Sequence, residues 1–312
     1  MDPNLLLWKS EGQTFFQRLG SWFNLLNPIL LLSSDAEIQK AHDSLLKQNV
    51  KEKDEFAVIL SLSSAHADSG APLPLIFRPP AVLSIAGPLV VASLIHHQVR
   101  PALFWQFLLQ TYSAMFNHAN RNSSGEQEGK SSLLKPLLVI GTVTYTTIAG
   151  ALPQILMNKF NLRSSLLQTC YKFIIPIPHS AVVAYLSVLT VRIEEADTGI
   201  RVFDSNGNAV GVSKEAGKKA VRETAESRAV LLGTTAAVPN LLILLLRRSR
   251  LFQRNPLLVT PCYYVSIAMV FGLMIPVSFS LFPQLGTINR EMVEDELQAK
   301  AVGGELYYHR GL

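Results

Sequence analysis

The residues best suited to chemistry in this sequence are polar groups set among apolar ones. Gln110 to Asn122 reads Gln-Thr-Tyr-Ser-Ala-Met-Phe-Asn-His-Ala-Asn-Arg-Asn, which places amides, hydroxyls and one guanidinium at the end of an uncharged run. Gln110, Asn117, Asn120 and Asn122 each offer a donor and an acceptor, and Arg121 offers a planar fork for a carboxylate. Such a set suits a small zwitterionic solute. The same amides would also serve to bond neighbouring membrane helices, at about 1 kcal/mol each. Position alone leans towards that plainer role.

Other chemistries have less support. His96, His97, His118 and His179 lie in or near different apolar runs, with no carboxylate or thiol at ligand spacing, so no metal site is expected. Cys170 and Cys262 stand far apart and form neither a disulfide framework nor a Cys-x-x-Cys pair. There is no glycine-rich nucleotide fingerprint, no phosphate loop and no nucleophile in a recognisable setting, so neither an enzyme nor a cofactor is expected. The formal net charge of +5 lacks the aromatic-interleaved basic groove of a nucleic-acid binder. Arg247, Arg248, Arg250 and Arg254 instead follow an apolar run, where anionic lipid headgroups would attract them.

The elements that must position these residues are apolar runs of membrane length. A helix needs about 20 residues to cross a hydrocarbon core roughly 30 Å thick. Uncharged runs cover 79–99 and 101–120, an apolar pair spanning 79–120 and split by Arg100-Pro101, which reads as a tight helical hairpin or as one crossing plus a re-entrant piece. Further runs follow at 136–158, 173–191, 229–246 and 257–282. Only 16% of residues are charged, and they fall mainly between the runs, as the cost of a charge at mid-bilayer requires. The fold class expected is an all-α, multi-pass helical bundle with five to six membrane segments in contact with lipid. Pro88, Pro153, Pro176, Pro178, Pro239 and Pro276 lie inside the runs; they suggest kinks, or broken helices that line a cavity.

Outside the runs the chain is still ordered. Residues 1–78 read as a polar helical cap, with Phe15, Phe16, Leu19, Trp22, Phe23 and Leu26 in an aromatic stripe for the membrane interface or for packing. Ser34 and Glu37 form a capping box before Ile38, Ala41, Leu45 and Leu46. No secretory signal or cleaved presequence is expected, because Met1-Asp2-Pro3 opens on an acid and no strong apolar run precedes residue 78. The sequon Asn122-Ser123-Ser124 matters only in a secretory compartment. In the loop 192–228, apolar alternation on both sides of Asn206-Gly207 predicts a β-hairpin, followed by a helix with Ala216, Ala220, Val221 and Ala225 on one face. Residues 283–312 read as a C-terminal tail.

At these residues the chain resembles the sideroflexins, helical proteins of the mitochondrial inner membrane. His66-Ala67-Asp68-Ser69-Gly70 is similar to the family's His-Pro-Asp-Thr-Gly signature, with Ala67 in place of proline. Asn117 to Asn122 resembles the end of its asparagine-rich helix. Gly199-Ile200, Asp204, Asn206-Gly207-Asn208, Gly211 and Ser213 fit its hairpin, and Ser227-Arg228 its helix start. Phe282, Pro283 and Gln284 within Leu281-Phe282-Pro283-Gln284, and the ending Tyr308-His309-Arg310-Gly311-Leu312, fit its late motifs.

The resemblance implies an importer of serine or related small amino acids, and the departures bear on that expectation. Leu109-Gln110-Thr111-Tyr112-Ser113 stands where the family has Asn-Gln-Ser-Phe-Asn. Ser187-Val188-Leu189 stands where it has Asn-Ile-Pro. Losing those amides from a path formed by Gln110, Asn117, Asn120, Arg121, Asn122, Ser187 and the breaks at Pro239 and Pro276 would weaken serine transport. The pattern most resembles the divergent sideroflexin-4 branch. That branch implies a role in assembling respiratory complex I, with complex I assembly proteins as partners and a link to iron-sulfur supply and iron balance. A small amino acid or other metabolite remains the alternative partner.

Overall fold

The computed structural model describes residues 8–9, 14–47, 54–96, 98–123, 134–160, 165–300 and 304–312. His97 and Ser124 of the sequon lie outside them. The N-terminal cap holds α1 (Phe15–Leu25), α2 (Asp35–Lys47) and α3 (Glu55–Ser64). Thr14 and Gln17 close a capping box on α1. The predicted box on α2 is present, with Ser34 N donating to Glu37 Oε2 at 2.8 Å and Glu37 N to Ser34 Oγ at 3.3 Å. Ile38 and Leu45 are buried while Leu46 faces out.

The membrane bundle consists of α4 (Ala81–Ile95), α5 (Val99–Ala119), α6 (Leu134–Gly150), α7 (Leu152–Phe160), α8, α10 and α12. The first pair forms a helical hairpin, with Arg100 and Pro101 in the opening turn of α5. Helix α8 runs through Ser165–Thr169, a π-helical turn Cys170–Ile174, and Pro176–Val191. After α9 (Ile193–Thr198) and a β-hairpin comes α10 (Lys214–Leu246), then α11 (Arg250–Arg254) and α12 (Val259–Ser280). Successive neighbours α4, α5, α6, α8, α10, α12 and again α4 pack on one another, which closes a ring around an axis.

Among the described residues, three helices can cross a membrane by length and composition: Leu166–Val191, Lys214–Leu246 and Pro256–Ser280. A fourth is added if the pair Pro136–Gly150 and Leu152–Lys159, bent by 44°, is one span. The expected five to six segments are thus not reached on that criterion. Helix α4 has only 15 residues, and α5, though 21 residues long, carries Arg100, Gln106, Gln110, Asn117 and His118, which lower its hydropathy. Only 17% of the apolar window of Pro256–Ser280 is buried, and Val265, Met269 and Leu273 point outward. Such faces suit lipid, and the chain is a multi-pass helical membrane protein.

Helix α10 passes straight through the boundary drawn from sequence between 228 and 229. Its 33 residues extend about 50 Å at 1.5 Å per residue, more than a bilayer core needs. Its first turns therefore belong to the extramembrane module, where Ala216 and Ala220 are buried as expected. Pro239 and Pro276 lie within continuous helices. The irregularities fall instead at the α6–α7 bend beside Pro153 and the π-helical turn before Pro176.

The predicted hairpin is present as β1 (Ile200–Phe203) and β2 (Ala209–Ser213), with Gly207 at φ +85° in the turn. The tail is not a plain tail. β3 (Leu285–Asn289) and β4 (Glu305–His309), on either side of α13 (Asp295–Lys300), join the hairpin in an antiparallel sheet of order β2-β1-β4-β3. Val202 pairs with Tyr308, and Ile288 with Leu306. Val202, Leu306 and Tyr308 are fully buried and pack with Ile200, Ala216, Ala220 and Leu297 in a core of their own.

The aromatic stripe divides into a buried side, which packs as one of its two expected roles requires, and an exposed side. Trp22 and Leu25 are buried, and the Trp22 ring lies 4.9 Å from Phe279 at the end of α12 and 5.7 Å from Trp8. Arg18 Nε donates to the Ser280 carbonyl at 2.8 Å. Phe16 and Phe23 on the opposite side are exposed.

Candidate solute cavity

One face of α5 repeats a polar residue at helical period: Gln106, Gln110, Ser113 and Asn117. This stripe points along the axis of the ring, where three cavities of about 60, 30 and 20 Å³ follow one another. The first and second share Val90, Leu109, Gln110 and Leu232; the second and third share Ser93, Leu94, Gln106, Gly150, His179 and Ser180. At roughly 10–15 Å³ per water, the first holds about four to six waters, the size of a small metabolite.

The first cavity is walled by α4, α5, α8, α10 and α12, and most of its wall is apolar: Val82, Ala86, Val90, Leu109, Leu231 and Phe271. Its polar members are few. Arg228 of α10 sits at the floor between two rings, 4.5 Å from the Phe279 centroid and 5.8 Å from that of Phe116. Asn117 spends its amide N–H on the Ser113 carbonyl at 2.7 Å, which leaves Oδ1 directed elsewhere. Asn117 Oδ1, Ser187 Oγ and Arg228 Nη2 are all buried and have no hydrogen-bond partner among the described residues. Buried polar atoms are ordinarily satisfied, so three orphans around one cavity mark a place for a polar guest. The guanidinium matches a carboxylate, and Asn117 Oδ1 and Ser187 Oγ can accept from an ammonium or hydroxyl.

Farther along the axis the polar groups are largely engaged. Gln110 Nε2 donates to Gln106 Oε1 at 3.2 Å, His179 Nε2 to the Ala149 carbonyl at 2.6 Å, and the Tyr263 hydroxyl to Asn240 Oδ1 at 2.6 Å. Gln154 Oε1, in the third cavity, is a further orphan. Lys172 and Tyr171 line that far end.

Of the residues singled out from sequence, Gln110, Asn117 and Ser187 meet at the first cavity. The others lie elsewhere. Asn120 donates to the Phe77 and Phe116 carbonyls at 3.0 and 2.9 Å, and Asn122 to Glu195 Oε2 and the His309 carbonyl, both at 2.9 Å. Arg121 bonds the His118 carbonyl at 2.9 Å. Pro239 and Pro276 are buried but line none of the three cavities. Sequence reading missed Arg228 as a cavity residue by assigning it to a helix start. The four-membered stripe on α5 was the available signal for Gln106 and Ser113.

The motif residues are clasps around one end of the bundle. His66 Nδ1 accepts from the N–H groups of Asp68 and Ser69 at 3.3 and 3.2 Å, so its Nε2 donates to the Arg121 carbonyl at 2.7 Å. Asp68 Oδ2 accepts from Ser123 N at 2.9 Å, and Gly70 takes φ +70° against the His42 ring. Asp204 accepts from the N–H groups of Asn206 and Asn208, both at 2.8 Å, across the Asn206-Gly207 turn. Gln284 bonds Gly311 and Arg310 beyond Phe282 and Pro283. Arg192 is fully buried in an ion pair with Glu195 and also bonds Thr224. Among the described residues, no three His, Cys, Asp or Glu side chains cluster as metal ligands would.

Known proteins resemble the chain over its whole length. The family model of the sideroflexins matches residues 4–312. Sideroflexin-4 of Danio rerio is 51% identical over 317 residues, covering 100% of both chains. Sideroflexin-4 of Homo sapiens is 32% identical over 100% of this chain and 93% of its own. Sideroflexin-5 of Homo sapiens is 27% identical over 99% of this chain and 94% of its own. No solved structure matches. A bundle closed around cavities with a few polar groups and clasped by the His66, Asn206-Gly207 and Phe282-Pro283-Gln284 motifs is thus the form this sequence takes, and the chain belongs to the sideroflexin family.

Proposed function

We propose that this protein serves the assembly of respiratory complex I in the mitochondrial inner membrane, and that it does so while retaining a site for a small carboxylate-bearing metabolite in its helical bundle. The observation that carries the site is the trio of buried, unpartnered atoms, Asn117 Oδ1, Ser187 Oγ and Arg228 Nη2, around one cavity. The assembly role rests on the resemblance to the sideroflexin-4 branch, whose named members include the relatives at 51% and 32% identity. In this reading all six ring helices are embedded, the N-terminal cap and the sheet module hold partner proteins outside the bilayer, and the link to iron-sulfur supply and iron balance is indirect.

A second reading, a scaffold with no transported solute, is favoured by Leu109. It is buried in the wall of the first and second cavities at the position where the family resemblance expects an asparagine. The test joins two measurements: rescue of complex I in cells lacking the protein, and uptake of labelled amino acids by liposomes that contain it. Asn117→Ala, Ser187→Ala and Arg228→Gln are expected to impair both while leaving protein level and insertion normal. Full rescue by all three variants, with no uptake by the parent, would refute the retained site and leave the scaffold.

A further inference from the structure

The segment Arg310-Gly311-Leu312 lies outside the first cavity but reaches its wall through Arg310, which bonds the carbonyl of Phe279, a residue that lines the cavity. Arg310 and Leu312 are buried, and Leu312 belongs to the same apolar cluster as Phe116 and Phe279, whose rings flank Arg228. The segment is held by three helix ends at once. From α5, the Asn120 carbonyl accepts from Leu312 N at 3.3 Å, and Asn122 donates to the His309 carbonyl at 2.9 Å. From α8, the buried Arg192 donates to the Arg310 carbonyl at 2.8 Å and the Leu312 carbonyl at 3.4 Å. From α12, the Phe279 carbonyl accepts from Arg310 Nη2 at 3.1 Å, and Gln284 exchanges bonds with Arg310 and Gly311.

These bonds tie three alternate helices of the ring to one short peptide. Most are single contacts to main-chain atoms, and β4 ends at His309, so the last three residues extend past the sheet. We propose that Arg310-Gly311-Leu312 is a latch: seated, it closes the cavity on the side of the sheet module, and released, it frees α5, α8 and α12 to part there and admit solute. This rests on the reading of the cavity as a solute site, but the latch can be tested without any solute. Gly311 supplies the means. It takes φ +73°, and an added Cβ would lie 2.8 Å from Arg192 Nη2 and 3.0 Å from the Asn120 carbonyl oxygen. Gly311→Ala therefore cannot seat as the parent does.

The experiment places a reporter, Ser113→Cys, in the first cavity of the full chain in liposomes, with Cys170→Ser and Cys262→Ser. A membrane-impermeant maleimide is supplied on the side of the sheet module. Gly311→Ala is expected to speed labelling at least about tenfold, the effect of shifting an opening equilibrium by a factor of ten. A lock made by Asn120→Cys and Leu312→Cys should slow labelling at position 113, read by peptide mass spectrometry because the reduced lock thiols also react, by a similar factor when oxidised and recover on reduction, which keeps the test decisive if Gly311→Ala fails to fold. Equal labelling of parent, release and locked forms would overturn the latch. Normal latch behaviour with no uptake of any solute would instead count against the proposed function.

Discussion

Replacing Arg228 by methionine separates binding from stability. Among the described residues the guanidinium is the one charged group in the wall of the first cavity, and its Nη2 has no hydrogen-bond partner. A charge-assisted hydrogen bond to a guest carboxylate is worth about 1.5–3 kcal/mol, so its loss should raise Kd roughly 10- to 140-fold at about 1.4 kcal/mol per decade. Stability should behave differently. An uncompensated buried cation carries a desolvation penalty, and its removal offsets the lost stacking on Phe279, so Arg228→Met without ligand should stay within about 1 kcal/mol of the parent. The assay is ligand-dependent thermal unfolding and calorimetry of nanodisc-embedded protein with serine, alanine and acetate. Acetate tests whether the carboxylate alone suffices. Unchanged affinity in Arg228→Met, or a large loss of stability without ligand, would refute the reasoning and make Arg228 a structural residue.

Three further outcomes are expected. Trp22→Ala removes a side chain that is 2% exposed and packed on Trp8 and Phe279; thermal unfolding should show a loss of about 3–5 kcal/mol, and parent-like unfolding would mean that α1 is not docked. Leu109→Asn returns an amide to the cavity wall and should tighten serine binding about fivefold, one hydrogen bond of roughly 1 kcal/mol, read by the same calorimetry. At the hairpin, backbone and side-chain hydrogen bonds from Asn208, with the Asn206 N–H, hold the Asp204 carboxyl below its ordinary range. The stability it contributes is complete above the unfolded value and is lost as pH falls through the lower folded value. Protection factors over 200–213, with exchange corrected for its intrinsic pH dependence, should therefore fall on acidification, and Asp204→Asn should flatten that dependence.

What could be read in advance was whatever local chemistry dictates. The Ser34–Glu37 box and the Asn206-Gly207 turn act over a few residues, and both are where they were expected, whereas the uncharged runs gave the helical membrane class but neither the number nor the bounds of the long helices. The cavity was half legible: Gln110, Asn117 and Ser187 were found, because amides and hydroxyls in apolar helices stand out. Arg228 was not, because a charge beside an apolar run reads as its end, whereas α10 is simply longer than the bilayer. Asn120, Arg121 and Asn122 were read as path residues on type alone, and their direction was settled by contacts to Phe77, His118 and Glu195 that no spacing rule contains. The strands β3 and β4 escaped notice for the same reason: β4 pairs with β1 about a hundred residues earlier in the chain, and β3 joins the sheet only through β4.

That distant pairing also constrains biogenesis. β1 and β2 precede α10, β4 follows α12, and the sheet joins β1 directly to β4. Both ends of the α10–α12 pair must therefore emerge on the same face of the membrane, so the pair makes an even number of crossings whatever the distribution of flanking lysine and arginine. The Trp22–Phe279 contact and the His66–Arg121 bond place the N-terminal cap on that face too. An insertion machine that inverted α12 would leave β1 with an unpaired edge and its module unfolded, so misinserted chains would be recognisable to quality control by an exposed strand.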